Sequence, residues 1–184
     1  MSAHAQIDPS NRKIAVLIAV LAAFLAISEM GGKSAQTEVL TQQVEGSNMW
    51  SFFQAKTVRQ TVVRTAAEAA EAPYKDGIAM PSGVKNQVDQ WRKTAQRYET
   101  EPETNEGRKE LIARAKTHEE RREKARSAYH LFEYGSAAFQ LAIVLASAAV
   151  VTGVMFLGFI AGGLGLLGMA ATLTGFLAPT LVHL

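Results

Sequence analysis

The run His118-Glu119-Glu120-Arg121-Arg122 is the nearest this chain comes to a metal-binding helix. A zinc helix of that kind needs a second histidine four residues after the first, on the same face. Arg122 stands there instead, and a cation repels the metal. Glu119 and Glu123 with Arg122 and Arg126 read as charge pairs within one helix, worth about a few tenths of a kcal/mol each, so a solvated helix face is expected. Cysteine is absent, which excludes disulfides, thiol catalysis and thiolate metal sites. No constellation has the form of a catalytic centre, so we expect no enzyme, no metal and no cofactor.

Two further groups could carry function. Glu29 is the acidic residue nearest an apolar run, and a carboxylate inside a membrane is a candidate for ion or proton handling. Gly31, Gly32 and Lys33 follow at once, placing it within a turn of water, and Gln140 is the amide available to partner it. The second group is Trp50, Phe53 and Lys56 or Thr57, on neighbouring turns of one helix, with Gln54 projecting elsewhere. Such a cluster can hold a partner chain or a lipid headgroup. Core packing is the favoured reading, because Trp91 and Tyr98 offer a matching stripe.

These residues need elements to position them, and charge divides the chain. All but Arg12 and Lys13 of its 19 Lys and Arg, and all but Asp8 and Glu29 of its 17 Asp and Glu, lie between Lys33 and Glu133. That middle region is highly charged yet near neutral, which speaks against nucleic acid as a partner. From Tyr134 to Leu184 runs an uncharged reach of roughly 50 residues, where one bilayer crossing needs about 20. It divides into a crossing at 136–155 and another at 157–181, joined by a very short turn near Gly153 to Gly158, with Pro179 ending the last helix. The apolar run Ile14 to Ile27 has the length of a signal-peptide core, with Ala26-Ile27-Ser28 as a possible cleavage site. We read it as retained, behind a tail at 1–13, and as a first crossing over 14–32.

Between the crossings, 33–72 holds Leu40, Val44, Met49, Trp50, Phe52, Phe53, Val58, Val62 and Val63 without a proline, which predicts a helix. Loop punctuation follows from Ala72 to Gly83. Val84, Val88, Trp91, Ala95 and Tyr98 then fall at steps of four and three, a short amphipathic helix over 83–99. The acidic run Glu99 to Gly107, with Pro102, makes a second linker. From Arg108 the same step runs through Leu111, Ala115, His118, Arg122, Ala125, Tyr129 and Phe132 into Ser136 and Phe139, so a charged helix at 108–135 enters the membrane unbroken. The expected fold is an all-α integral membrane protein with three transmembrane helices and an extramembrane amphipathic helical hairpin.

The spans carry small residues at helical spacing. In the third, Gly158, Gly162, Gly165 and Thr172 share one face, and Ala161, Gly165, Gly168, Thr172 and Gly175 an overlapping one. The second offers Ala138, Ala142, Ala146, Ala149 and Gly153. Such faces let backbones approach closely. Either another copy of the chain or the chain's own helices can use them.

The segment Asn48-Met49-Trp50-Ser51-Phe52-Phe53-Gln54-Ala55-Lys56-Thr57-Val58-Arg59-Gln60 resembles the signature of an uncharacterised bacterial membrane family, domain of unknown function 4337. There it reads approximately Asn/Ser-x-x-Trp-x-Phe/Tyr-Tyr-Gln-Ala-Lys. The order of parts is similar over essentially the whole chain, with Phe139-Gln140-Leu141-Ala142-Ile143 opening the closing helix pair. Phe53 replaces the usual Tyr, and the turn after Thr152 lacks the basic residues common in the family. No activity is known for the family, so the resemblance implies none.

Arg12 and Lys13 precede the first span and only Lys33 follows closely, which favours a cytoplasmic N-terminus and a periplasmic middle region in a bacterial inner membrane. Arg114, Lys116, Arg121, Arg122, Lys124 and Arg126 argue the reverse, but long loops translocate largely regardless of charge. The family's basic turn implies the first arrangement. The expected function is a non-enzymatic, self-associating protein that scaffolds a membrane assembly or membrane shape, with lipids and other copies as partners. The alternative is an accessory or regulatory subunit of a larger membrane complex, docking through Trp50 and Phe53.

Overall fold

No proline interrupts the chain between Pro9 and Pro73, and there the backbone forms one helix, α1, over Pro9–Glu71. A computed structural model of the chain describes residues 9–75 and 77–181. Most of the expected N-terminal tail, Asp76 of the expected loop and residues 182–184 lie outside the described residues. Pro9 takes the first helical position, where its missing N–H costs nothing. The chain leaves α1 through a short 3₁₀ turn at Ala72–Tyr74, which contains Pro73. Then follow α2 (Ser82–Glu99), α3 (Arg108–Thr152), α4 (Met155–Leu177) and a closing 3₁₀ turn at Pro179–Leu181. No strand occurs among the described residues.

The boundary expected at Gly32 and Lys33 carries no break. Two adjacent glycines cost a helix about 2 kcal/mol against alanine, but here the missing side chains make room. A Cβ on Gly31 would lie 2.7 Å from Phe132 Cε1, and one on Gly175 of α4 would lie 3.1 Å from the same atom. Phe132 therefore sits in a socket made by two glycines, with Phe176 edge-on at 4.7 Å between ring centroids. At the other end of the uncharged reach, α3 stops at Thr152 and α4 starts at Met155, slightly earlier than the expected 155 and 157. Gly153 adopts φ +71, a conformation open to glycine. Thr152 Oγ1 accepts from Val154 N–H at 3.3 Å and closes the turn.

The chain forms two compact units, one of residues 1–40 with 122–184 and one of residues 41–121. In the first, Ile14 and Leu21 of α1, Phe139, Ala142, Ala146 and Ala149 of α3 and Ala161 of α4 form the core, with Phe24 stacked on Phe139 at 6.0 Å. Of the two overlapping small-residue faces of α4, the one bearing Ala161, Gly165, Gly168, Thr172 and Gly175 is buried. A Cβ on Gly165 would meet Leu21 Cδ2 at 2.5 Å, and one on Gly168 would lie 3.1 Å from Gly135 O. On the other face, Gly158 would barely touch Ile14, and Gly162 would meet nothing within 4 Å.

Polar groups tie the same three helices. Ser28 of α1, fully buried, donates its hydroxyl to the Phe132 carbonyl of α3 at 3.0 Å. Thr172 of α4 places its hydroxyl 3.1 Å from Ser28 Oγ and 2.8 Å from Gly168 O. Around this interior, α1, α3 and α4 are long and apolar enough to cross a membrane, and only 22%, 28% and 22% of their apolar windows is buried. Val16, Ile27, Leu141, Val144, Phe156, Phe159, Leu166 and Leu177 are exposed.

Candidate functional site

In the second unit, α1 carries Trp50, Phe53, Lys56, Thr57 and Gln60 at steps of three and four, which brings them to one helix face. That face meets α2, the connection 100–107 and the first turns of α3. Lys56 is buried, its side chain 7% exposed, and its ammonium lies 3.2 Å from Glu101 Oε2 and 3.9 Å from Glu106 Oε2. It also lies over two rings, 5.5 Å from the centroid of Phe52 and 5.4 Å from that of Tyr98. Both distances are within cation–π range. A charge this far from water persists because carboxylates and ring faces replace its hydration.

Arg108 forms the second half of the site. It opens α3, where the helix dipole disfavours a cation, so its place must be set by partners. Its guanidinium donates to Thr57 Oγ1 at 2.9 Å, to Gln60 Oε1 at 2.6 Å and to Glu99 Oε2 at 2.7 Å. Its central carbon stands 5.1 Å from the ring centroid of Phe53. Gln60 accepts from Arg108 and donates both amide protons, to Ala95 O at 3.0 Å and to Glu99 Oε2 at 2.9 Å. The Gln60 hydrogen bond first, and then Arg108, hold the Glu99 carboxyl below its ordinary value against the opposing effect of burial. The connection itself is pinned by Glu101 N–H donating to Glu110 Oε2 at 3.2 Å. Gly107 is required there, because a Cβ would meet Thr100 Cα at 2.8 Å and collide with Glu101 N and Glu110.

Trp50 packs edge-on against Phe53, 5.6 Å between centroids, and donates its indole N–H to Glu119 Oε1 at 2.8 Å. Next to it, His118 Nδ1 lies 2.6 Å from Gln42 Oε1. The charged run 118–122 is therefore only in part the solvated face expected of it, since His118 and Glu119 both turn to α1. Arg122 pairs with the adjacent Glu123 at 2.7 Å.

Of the expected interface residues, Phe53, Lys56 and Tyr98 come together, and Trp50 joins them through Phe53. Gln54 is exposed, and Trp91 is half-buried two turns before Tyr98 on α2. Sequence reasoning missed Gln60, Glu99, Glu101 and Arg108. The acidic run 99–106 reads as mutual repulsion when its counterions are distant in sequence. The available signal was Arg108 itself, a cation at a helix start. Chemically, these groups are spent on one another: among the described residues no buried side-chain N or O lacks a hydrogen-bond partner, and none of those residues form a group of three or more His, Asp or Glu placed to hold a metal. The arrangement clamps α1, α2 and α3 together.

No curated protein and no solved structure matches the chain. The sequence profile described as Domain of unknown function (DUF4337) matches residues 10–178, nearly all of α1 through α4, and the chain belongs to that family.

Proposed function

We propose that this protein is a non-enzymatic, self-associating membrane protein that crosses a bacterial inner membrane three times and organises a membrane assembly or membrane shape. The observation that carries this reading is the mismatch between apolar surface and burial. Less than a third of each apolar window on α1, α3 and α4 is buried within the chain, an arrangement stable in hydrocarbon and costly in water. The crossings are the apolar parts of these helices, with the region from Lys33 to Glu133 in water. Arg12 and Lys13 favour a cytoplasmic N-terminus, which the first crossing turns into a periplasmic middle region.

Self-association draws on two exposed surfaces. On α4, a Cβ added at Gly162 or Gly163 would meet no other part of the fold within 4 Å. On α1, Val44, Val58 and Val62 are all more than half exposed, and Ala55, Val58 and Val62 follow at steps of three and four, the spacing of a helix-pairing seam. The accessory-subunit reading finds less support, because Trp50 and Phe53 are engaged within the chain.

Fractionation followed by sizing of the detergent-extracted protein tests the proposal. The expected result is a chain found in the membrane pellet and, after extraction, a homo-oligomer that Gly162→Leu dissociates. A chain in the supernatant of a detergent-free high-speed spin, or a monomer, overturns it; stoichiometric foreign chains favour the accessory subunit.

A further inference from the structure

In the first unit a groove of about 530 Å³ opens between α1 and α3. Its α1 wall carries Glu29, Lys33 and Gln36, and its α3 wall carries Glu133, Ser136 and Gln140. Glu29 is the first charged residue after Lys13, and Glu133 is the last one in the chain. Both border charge-free helix, so the groove marks the level at which the apolar segments of α1 and α3 meet the polar ones. For a chain in a bilayer, that is the headgroup level, and this inference rests on the membrane reading above.

The wall groups are mixed in sign and incompletely engaged. Glu29 receives one long hydrogen bond, from Gln140 Nε2 at 3.5 Å. Glu133 accepts from the Tyr129 hydroxyl at 3.2 Å and has His130 Nδ1 at 3.4 Å. Lys33 enters no ion pair among the described residues. Two carboxylates and one ammonium along a single groove suit a ligand that carries a cation beside an anion. One turn beyond Gln140 on α3, Val144 is 64% exposed, an apolar surface suited to an acyl chain.

We propose that this groove binds the phosphoethanolamine headgroup of a membrane phospholipid, its primary ammonium between Glu29 and Glu133 and its phosphate on Lys33. A primary ammonium donates charge-assisted hydrogen bonds to carboxylates. A trimethylated choline has no proton to donate, and a glycerol headgroup carries no cation.

Native mass spectrometry of the full-length protein, exchanged into detergent with equal amounts of phosphatidylethanolamine, phosphatidylcholine and phosphatidylglycerol, reads the preference. The expected result is about tenfold more retained phosphatidylethanolamine than either competitor, the factor that one charge-assisted hydrogen bond supplies. The isosteric double variant Glu29→Gln/Glu133→Gln, with unchanged helix content by circular dichroism, loses that preference. Lys33→Gln weakens retention of both phosphatidylethanolamine and phosphatidylglycerol. Free phosphoethanolamine at the lipid's concentration fails to displace the lipid; displacement makes the soluble compound the ligand and overturns the lipid assignment. A chain that pellets with membranes yet retains the three lipids equally, or a double variant that keeps the preference, overturns the groove and leaves the membrane reading standing. A chain that stays in a detergent-free supernatant overturns both.

Discussion

Trp50 on α1 and Glu119 on α3, 69 residues apart, are joined by an indole N–H that donates to the carboxylate at 2.8 Å. The bond links the two clusters that stood out for possible chemistry, the aromatic signature and the charged run after His118, and gives both a structural use. A part-buried hydrogen bond to a charged acceptor is worth about 1.5–3 kcal/mol. Trp50→Phe and Glu119→Gln should each lower the unfolding midpoint of the detergent-solubilised protein. In the double variant the losses should fall short of additive by about 1 kcal/mol or more. Additive losses in a double-mutant cycle would show that the two groups do not interact.

Lys56 gives a test of opposite design. Removing it in Lys56→Ala leaves Glu101 to the exposed Arg97 at 3.4 Å; orphaning a buried charge outright costs about 3–5 kcal/mol, so a loss at or below the lower end of that range is expected. Lys56→Met with Glu101→Leu removes both charges and keeps the apolar stem against Phe52 and Tyr98. Thermal unfolding followed by circular dichroism should therefore rank the double variant above Lys56→Ala. Equal stability would deny that the pair matters.

Gly31 should behave against the usual rule. Gly→Ala inside a helix ordinarily stabilises by about 1 kcal/mol, but here the new Cβ would lie 2.7 Å from the Phe132 ring. Overpacking costs about 1–3 kcal/mol, so Gly31→Ala is expected to destabilise. Trimming the ring in Gly31→Ala/Phe132→Leu should recover part of the loss, and a Gly31→Ala variant more stable than the parent would remove Phe132 from the socket.

Acid should loosen the second unit through Glu99. Its carboxyl lies below the ordinary value when folded, mainly through the Gln60 hydrogen bond. The stability it contributes is therefore present above the unfolded value of 4.5 and is lost as pH falls through the lower folded value. Unfolding midpoints measured from pH 7 down to pH 3 should drop less steeply for Glu99→Gln than for the parent. Parallel curves would mean that Glu99 is not held in the Arg108 and Gln60 network.

Sequence alone determined the helical class, the family and the three apolar segments, because hydropathy, proline placement and a contiguous signature are local properties. It also singled out Phe53, Lys56 and Tyr98, which the fold brings together, since a helical step of three and four is visible without a partner. It set a segment boundary at Gly32 and Lys33, where α1 runs on unbroken: only packing shows that the missing side chains of Gly31 and Gly32 make room for Phe132, a residue about 100 positions away. The same holds for the acidic connection, whose carboxylates look repulsive until folding delivers Lys56 and Arg108 to them. Only the tertiary structure decided which small-residue face of α4 is spent inside the chain and which stays open at Gly162, because both faces are built of similarly small residues. They differ in whether Leu21, Phe139 and Phe132 arrive to fill them, and contacts between distant helices follow from the three-dimensional fit of whole surfaces.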